Sequence, residues 1–244
     1  MSYIYAQTRA GRTILIEKYF STRYHKKGIE RSINRKKTSE EQEKVNQRRA
    51  VRKLTLQLNE NFKYGDHHLV LDYSPANRPG TPEEAKRDRE KFLRNLRKTY
   101  KRAESELKYI IVTEFGKRGA LHHHLVINDG PSTRKIQSCW KKGRCHFNPM
   151  DETGEYSKLA AYLLKGRKYW KKNAGKGKQV SSSRSIVTPE TEKKVIRCSN
   201  GYYEKPRPKK GYYIAPDTEF HGYREDGWPF TSYILVKEDR TRGP

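Results

Sequence analysis

No run of apolar residues in this 244-residue chain approaches the roughly 20 that a membrane helix needs, and hydrophobic residues make up only 33% of it. That excludes a conventional membrane protein. The amino terminus also lacks the apolar stretch of a signal peptide. Cysteine is scarce: Cys139, Cys145 and Cys198 are too few and too irregularly spaced for a disulfide framework. A reducing, cytoplasmic location is therefore expected. No Gly-x-x-x-x-Gly-Lys-Ser/Thr loop is present, so the chain carries no recognisable nucleotide-driven motor. No internal repeat is apparent. Acidic residues are outnumbered, 28 against 54 Lys and Arg, which leaves a formal net charge of +26 at pH 7.

A positive field of that size fits a nucleic acid backbone, with acidic lipid as the rival counter-surface. The 17 Tyr, 7 Phe and 3 Trp add to this, because several lie among cations, as in Arg167-Lys168-Tyr169-Trp170-Lys171-Lys172. Rings beside cations suit stacked bases beside phosphates. They also suit a plain basic surface whose tyrosines close small core patches.

Along the chain, Thr13 to Ile16 reads as a short strand inside a basic amino-terminal arm, residues 1–44. Thr38 and Glu41 have capping-box spacing, and Val51, Leu54 and Leu58 recur at helical intervals. Leu54 to Leu58 also alternates like a strand; the cap favours helix. His67 to Tyr73 reads as a buried strand. Thr81-Pro82-Glu83-Glu84 opens an amphipathic helix with Ala85, Phe92, Leu93, Leu96 and Tyr100 on one face, running to about Glu106. Two apolar runs between Tyr109 and Asn128 flank Gly116-Lys117-Arg118-Gly119, a hairpin signature. A short helix from Ser132 to about Trp140 and a strand from Arg144 to Asn148 follow. Glu155 to Lys168 is expected as one helix with Tyr156, Leu159, Ala160 and Leu163 as its core stripe. The Gly-, Lys- and Ser-rich segment 173–185 has no core-forming content and is expected to be mobile without nucleic acid. Strands at Gly211 to Ala215 and Ser232 to Lys237 end the chain. The pattern predicts an α+β fold with an antiparallel sheet. Residues 45–185 would form its core, and 186–244 would complete the same domain.

Strand alternation puts His122 and His124 on one face and His123 on the other. Two imidazoles one residue apart can chelate a divalent ion, and a hairpin register could bring Glu114 to them as an anionic ligand. Such a set leaves open positions for phosphate oxygens; Mn²⁺ or Mg²⁺ suits phosphodiester chemistry, although affinity alone favours zinc. A zinc site from Cys139, Cys145 and His146 lacks any usual ligand spacing. His67 and His68 face opposite ways and receive no role. On the following helix, Tyr162 lies off the core stripe beside Lys158 and Lys165. A neutral phenol is a poor nucleophile, and neighbouring cations help it react as phenolate. By spacing alone, a core tyrosine beside two solvent-facing lysines reads equally well.

Together these motifs resemble the HUH superfamily of rolling-circle replication initiators, in particular replication-associated proteins of plasmids, phages and prophages of Gram-positive bacteria. The metal motif is Leu121-His122-His123-His124-Leu125-Val126-Ile127-Asn128, with His123 where relatives carry a hydrophobic residue. Val112-Thr113-Glu114-Phe115-Gly116 resembles the segment that supplies a third ligand. Tyr162-Leu163-Leu164-Lys165 matches the Tyr-x-x-Lys motif, and Lys158 stands where some relatives have a second tyrosine. Asn61 to Tyr73 resembles the first motif, with Asp72 in place of Thr.

The resemblance implies a central antiparallel sheet with flanking helices, an RRM/ferredoxin-like core. It implies a metal-dependent endonuclease and strand transferase: Tyr162 as nucleophile, Lys165 as catalytic cation, and His122, His124 and Glu114 around Mn²⁺ or Mg²⁺. Expected DNA contacts are Arg23, Lys26, Lys27, Tyr73, Lys158, Arg167, Lys168, Tyr169, Trp170, Lys171, Lys172, Lys176 and Lys178. Implied partners are single-stranded origin DNA, with a hairpin or duplex flank, and a host helicase and DNA polymerase; no membrane is involved and the oligomeric state is left open. The alternatives are a relaxase or transposase with the same chemistry, or a non-catalytic nucleic-acid-binding protein.

Overall fold

The computed structural model describes residues 2–21, 40–116, 119–174, 178–196, 206–223 and 229–238. In chain order the first elements are β1 (Ser2–Ala10), β2 (Thr13–Ser21), α1 (Glu40–Asn61), β3 (His67–Leu71), α2 (Pro82–Arg102), β4 (Tyr109–Phe115) and β5 (Leu121–Ile127). Then come α3 (Thr133–Gln137), β6 (Cys145–Pro149), α4 (Ser157–Leu163), α5 (Arg167–Asn173) and β7 (Val180–Ser182). The chain closes with β8 (Thr191–Ile196), β9 (Tyr212–Ile214), β10 (Phe220–Tyr223) and β11 (Pro229–Lys237). Two compact units result, one of residues 1–60, 155–157 and 188–244, the other of residues 61–154 and 158–187.

The second unit is built on a five-stranded antiparallel sheet in the order β6-β3-β5-β4-β7. Helix α2 starts where the chemistry asks: the Thr81 side chain accepts from the Glu84 amide at 3.2 Å, Pro82 sits in the first turn, and Glu83 and Glu84 face the helix's positive end. It ends at Ala103, and Glu104 then takes a positive φ of 51°. Its apolar stripe buries Phe92, Leu93, Leu96 and Tyr100 against Leu69, Leu71, Tyr109, Ile111, Leu125 and Ile127, joined by Ile136 and Trp140. Burying each such large side chain contributes about 1.5–3 kcal/mol. Strand β4 is buried from Tyr109 to Glu114, so both of its faces are covered.

The first unit holds a six-stranded antiparallel sheet whose main path is β10-β11-β2-β1-β8, with β9 paired to β11. A two-residue turn joins β1 to β2, and Gly11 there adopts φ +53°. An added Cβ on Gly11 would fall 2.1 Å from the Asn59 carbonyl oxygen, so only glycine fits.

The α+β class, the central antiparallel sheet with flanking helices and the helical nature of Leu54 to Leu58 agree with the sequence reading. Thr38, the expected cap of α1, lies outside the described residues. Four expectations are corrected. Residues 2–21 are a nine-residue-by-nine-residue hairpin rather than a short strand in a basic arm. The strands of 186–244 do not extend the β3-β5-β4 sheet but pair with β1 and β2, because backbone edges find partners regardless of separation in sequence. The helix expected over 155–168 stops at Leu163 and restarts at Arg167. Leu163 and Leu164 are both 1% exposed, and a break lets two consecutive leucines and Trp170 all reach the core. Finally, the segment expected to be mobile contains β7, whose backbone pairs with Ile110–Val112; main-chain hydrogen bonds need no apolar side chains.

Candidate active site and metal centre

The β4–β5 hairpin sets Glu114 opposite His122 and Val112 opposite His124. Side chains alternate, so Glu114, His122 and His124 share one face. The Glu114 Oε1 oxygen lies 2.8 Å from His122 Nε2 and 3.0 Å from His124 Nε2, and one ligand atom from each residue falls within 4.8 Å of the others. Burial pushes the Glu114 carboxyl upward, but hydrogen bonds from His122 and His124 outweigh it and hold the group down at about 2. Glu114 is 1% exposed, and its Oε2 has no hydrogen-bond partner. A buried carboxylate oxygen without a partner costs about 1–3 kcal/mol unless something answers it. Two imidazole nitrogens and that oxygen form a donor set that fits one divalent cation. Among the described residues this is the one such cluster of His, Cys, Asp or Glu.

His123 points the other way and is fully buried. Its Nδ1 meets the Thr113 hydroxyl at 2.9 Å and its Nε2 meets the Tyr73 hydroxyl at 3.0 Å, while Arg89 donates to Thr113 at 3.1 Å. Burial, then Arg89 and the two neighbouring histidines, pulls His123 down to about 3, so the ring is neutral. A polar residue thus occupies a core position because every ring nitrogen has a partner.

Strand β3 adds a residue that sequence reading left without a role. His68 is buried, its Nε2 lies 3.1 Å from His124 Nδ1, and the two rings stack with centroids 5.3 Å apart. Burial and His124 lower His68 to about 4. Nothing local marks this: His68 reaches His124 only through the pairing of β3 with β5, 56 residues away.

Tyr162, in the last turn of α4, stands edge-on to His124 with ring centroids 5.3 Å apart and to His68 at 6.4 Å. It is 45% exposed, so the phenol is within reach of a substrate. Lys165 follows the helix end; its Nζ lies 3.8 Å from the Tyr162 ring centroid and 3.5 Å from Glu114 Oε1. The break after Leu163 puts Lys165 over the cluster.

The expected DNA contacts divide. Tyr169 is exposed on α5 with Lys168, Lys171 and Lys172, its ring edge-on to Phe115 at 5.4 Å; Lys158 and Lys178 are exposed and Arg167 is half-buried. Tyr73 and Trp170 are corrected: Tyr73 is 9% exposed and turned onto His123 and Trp140, and Trp170 is packed with Ala85, Leu121 and Ala174. Each ring is large enough that core packing outweighs exposure. Arg23, Lys26, Lys27 and Lys176 lie outside the described residues. Cys139 and Cys145 are buried in the α2-side core, while His146, next to Cys145 on β6, is exposed and pairs with Asp72 at 3.4 Å, so no zinc site gathers there.

No helix among the described residues is long and apolar enough to cross a membrane. No curated protein and no solved structure matches the chain significantly. Residues 66–167, which carry the histidine cluster, Tyr162 and Lys165, match the family described as replication-associated protein ORF2, so over that stretch the chain carries an HUH-type Rep domain.

Proposed function

We propose that this protein nicks and rejoins single-stranded DNA at a rolling-circle replication origin through a covalent 5′-phosphotyrosine on Tyr162. The observation that carries the reading is the Tyr162 ring 5.3 Å from the His124 ring, on the face where Glu114, His122 and His124 converge. In the nicking step the Tyr162 oxygen bonds to the scissile phosphorus and the bond to the 3′-oxygen breaks. The phenol proton is balanced by the proton that the departing 3′-hydroxyl gains. Rejoining reverses both changes, and storage of the bond energy in the phosphotyrosine removes any need for a nucleotide cofactor.

Glu114, His122 and His124 would hold Mn²⁺ or Mg²⁺, which when bound orients and polarises the phosphate. Lys165 adds positive charge where phosphate oxygens would sit. The exposed face of α5, with Tyr169 among Lys168, Lys171 and Lys172, supports single-strand binding by stacking and charge. A free 3′-hydroxyl would then serve a host polymerase, and a host helicase would unwind the duplex.

The test is incubation of the protein with pooled single-stranded origin fragments and Mn²⁺, followed by mass mapping of the modified residue. An adduct on Tyr162 that Tyr162→Phe abolishes, with oligonucleotide binding retained, is the expected result. Adducts surviving in Tyr162→Phe refute the nucleophile. Binding without any adduct points instead to a non-catalytic DNA binder.

A further inference from the structure

His122 and His124 present Nε2 to Glu114, so the far edge of the His124 ring, Nδ1, must be answered by something else. That something is His68. In the β3–β5 register Val70 lies opposite His124 and His68 opposite Val126, which makes His68 the diagonal neighbour of His124 on the same face. Diagonal pairs across antiparallel strands are within reach of ring-bearing side chains. The 3.1 Å contact between His68 Nε2 and His124 Nδ1 sits on the opposite side of the His124 ring from Glu114, so His68 is not itself a ligand of the cluster.

We propose that His68 is a positioning residue that carries His124 between its metal-free and metal-bound tautomers. The inference rests on the metal-centre reading above. Without an ion, His124 keeps its proton on Nε2 and donates it to Glu114; its Nδ1 lone pair then accepts from His68 Nε2–H. An ion requires the Nε2 lone pair, so the His124 proton must reside on Nδ1. His68 then accepts at Nε2 and keeps its own proton on Nδ1. Each ring holds one proton before and after, so the pair releases none. Imidazole suits this place because its nitrogens exchange donor and acceptor roles without any change of charge. The same side chain braces the reacting group, since the His68, His124 and Tyr162 rings meet one another at 5.3 to 6.4 Å. Outer partners of this kind orient a ligating imidazole, and their loss typically weakens metal binding about 10- to 100-fold.

The experiment uses the full chain with Zn²⁺ alone, a diamagnetic ion that imidazole binds well. Nitrogen-15 spectra of the histidine rings should show His68 switching from the Nε2–H to the Nδ1–H tautomer as Zn²⁺ is added. Titration calorimetry should show His68→Leu binding Zn²⁺ about 10- to 100-fold more weakly, with His68→Gln, which can both donate and accept, recovering much of the loss. A His68 ring that keeps Nε2–H in the Zn²⁺-loaded protein overturns the proposal. So does a His68→Leu protein, folded by its melting curve, that binds Zn²⁺ within twofold of wild type. Either result leaves the metal centre standing. No Zn²⁺ uptake by the wild-type chain overturns both readings.

Discussion

His123 makes a sharp test of how the histidine strand is built, because it lies between two proposed ligands yet serves the core. In the folded chain it faces Arg89, Thr113, Tyr73 and Trp140, and it titrates at about 3 against about 6.5 when exposed. The folded value is depressed, so the folded ring stays neutral while the unfolded ring takes up a proton below about pH 6.5. Stability is therefore full above that pH and is lost as acid is added, until the folded value is reached. The slope is about 1.4 kcal/mol per pH unit for each such ring, and His68, at about 4, adds a second. Between about pH 6 and 4.5 the two together account for a fall of about 2.7 kcal/mol per pH unit. His123→Leu removes one of them and leaves the Tyr73 hydroxyl without its partner, a loss of about 1–3 kcal/mol at pH 7.5. Urea denaturation with a chelator present, repeated across that range, measures both effects. The variant should be less stable than wild type at pH 7.5 and should lose stability with acid about 1.4 kcal/mol per pH unit more slowly. An unchanged pH slope would refute the account of a neutral, fully partnered ring.

Other outcomes follow from single contacts. Glu114→Gln removes the one anion of the cluster, so the rise in melting temperature that Mn²⁺ should give the wild type should vanish, as differential scanning fluorimetry would show. An added Cβ at Gly143 would lie 2.1 Å from the Asp72 carbonyl oxygen and 2.6 Å from the Ser74 amide, both backbone atoms. Gly143→Ala should therefore cost about 2 kcal/mol or more by chemical denaturation, and a smaller loss would show that the loop yields. Replacing Lys168, Lys171 and Lys172 by Gln should lower the slope of log affinity against log salt by about 2 for single-stranded oligonucleotide, since each phosphate contact contributes about 0.7. An unaltered slope would remove α5 from the interface.

Much of the site is legible because its determinants are local. Alternation along Leu121 to Ile127 places His122 and His124 together, and the glycine-bounded hairpin brings Glu114 opposite His122. Tyr162 and Lys165 are separated by three residues, yet a continuous helix would have kept Lys165 on it. The break that buries both Leu163 and Leu164 is a packing outcome with no strong local signal beyond Gly166. Tyr73 and Trp170 read as DNA contacts beside cations, whereas burial of their large rings decided otherwise.

By itself the sequence determined the strongly basic character, the α+β class and the face shared by His122 and His124, since composition and a two-residue period are properties of neighbours along the chain. Tertiary structure alone decided that His68 stands behind His124, and that strands from both ends of the chain, joined at contacts such as Thr8 to Thr191, make a sheet of their own. Those pairings depend on which strand edges meet across long stretches of sequence. Backbone hydrogen bonding makes such meetings favourable without leaving a mark in any one segment.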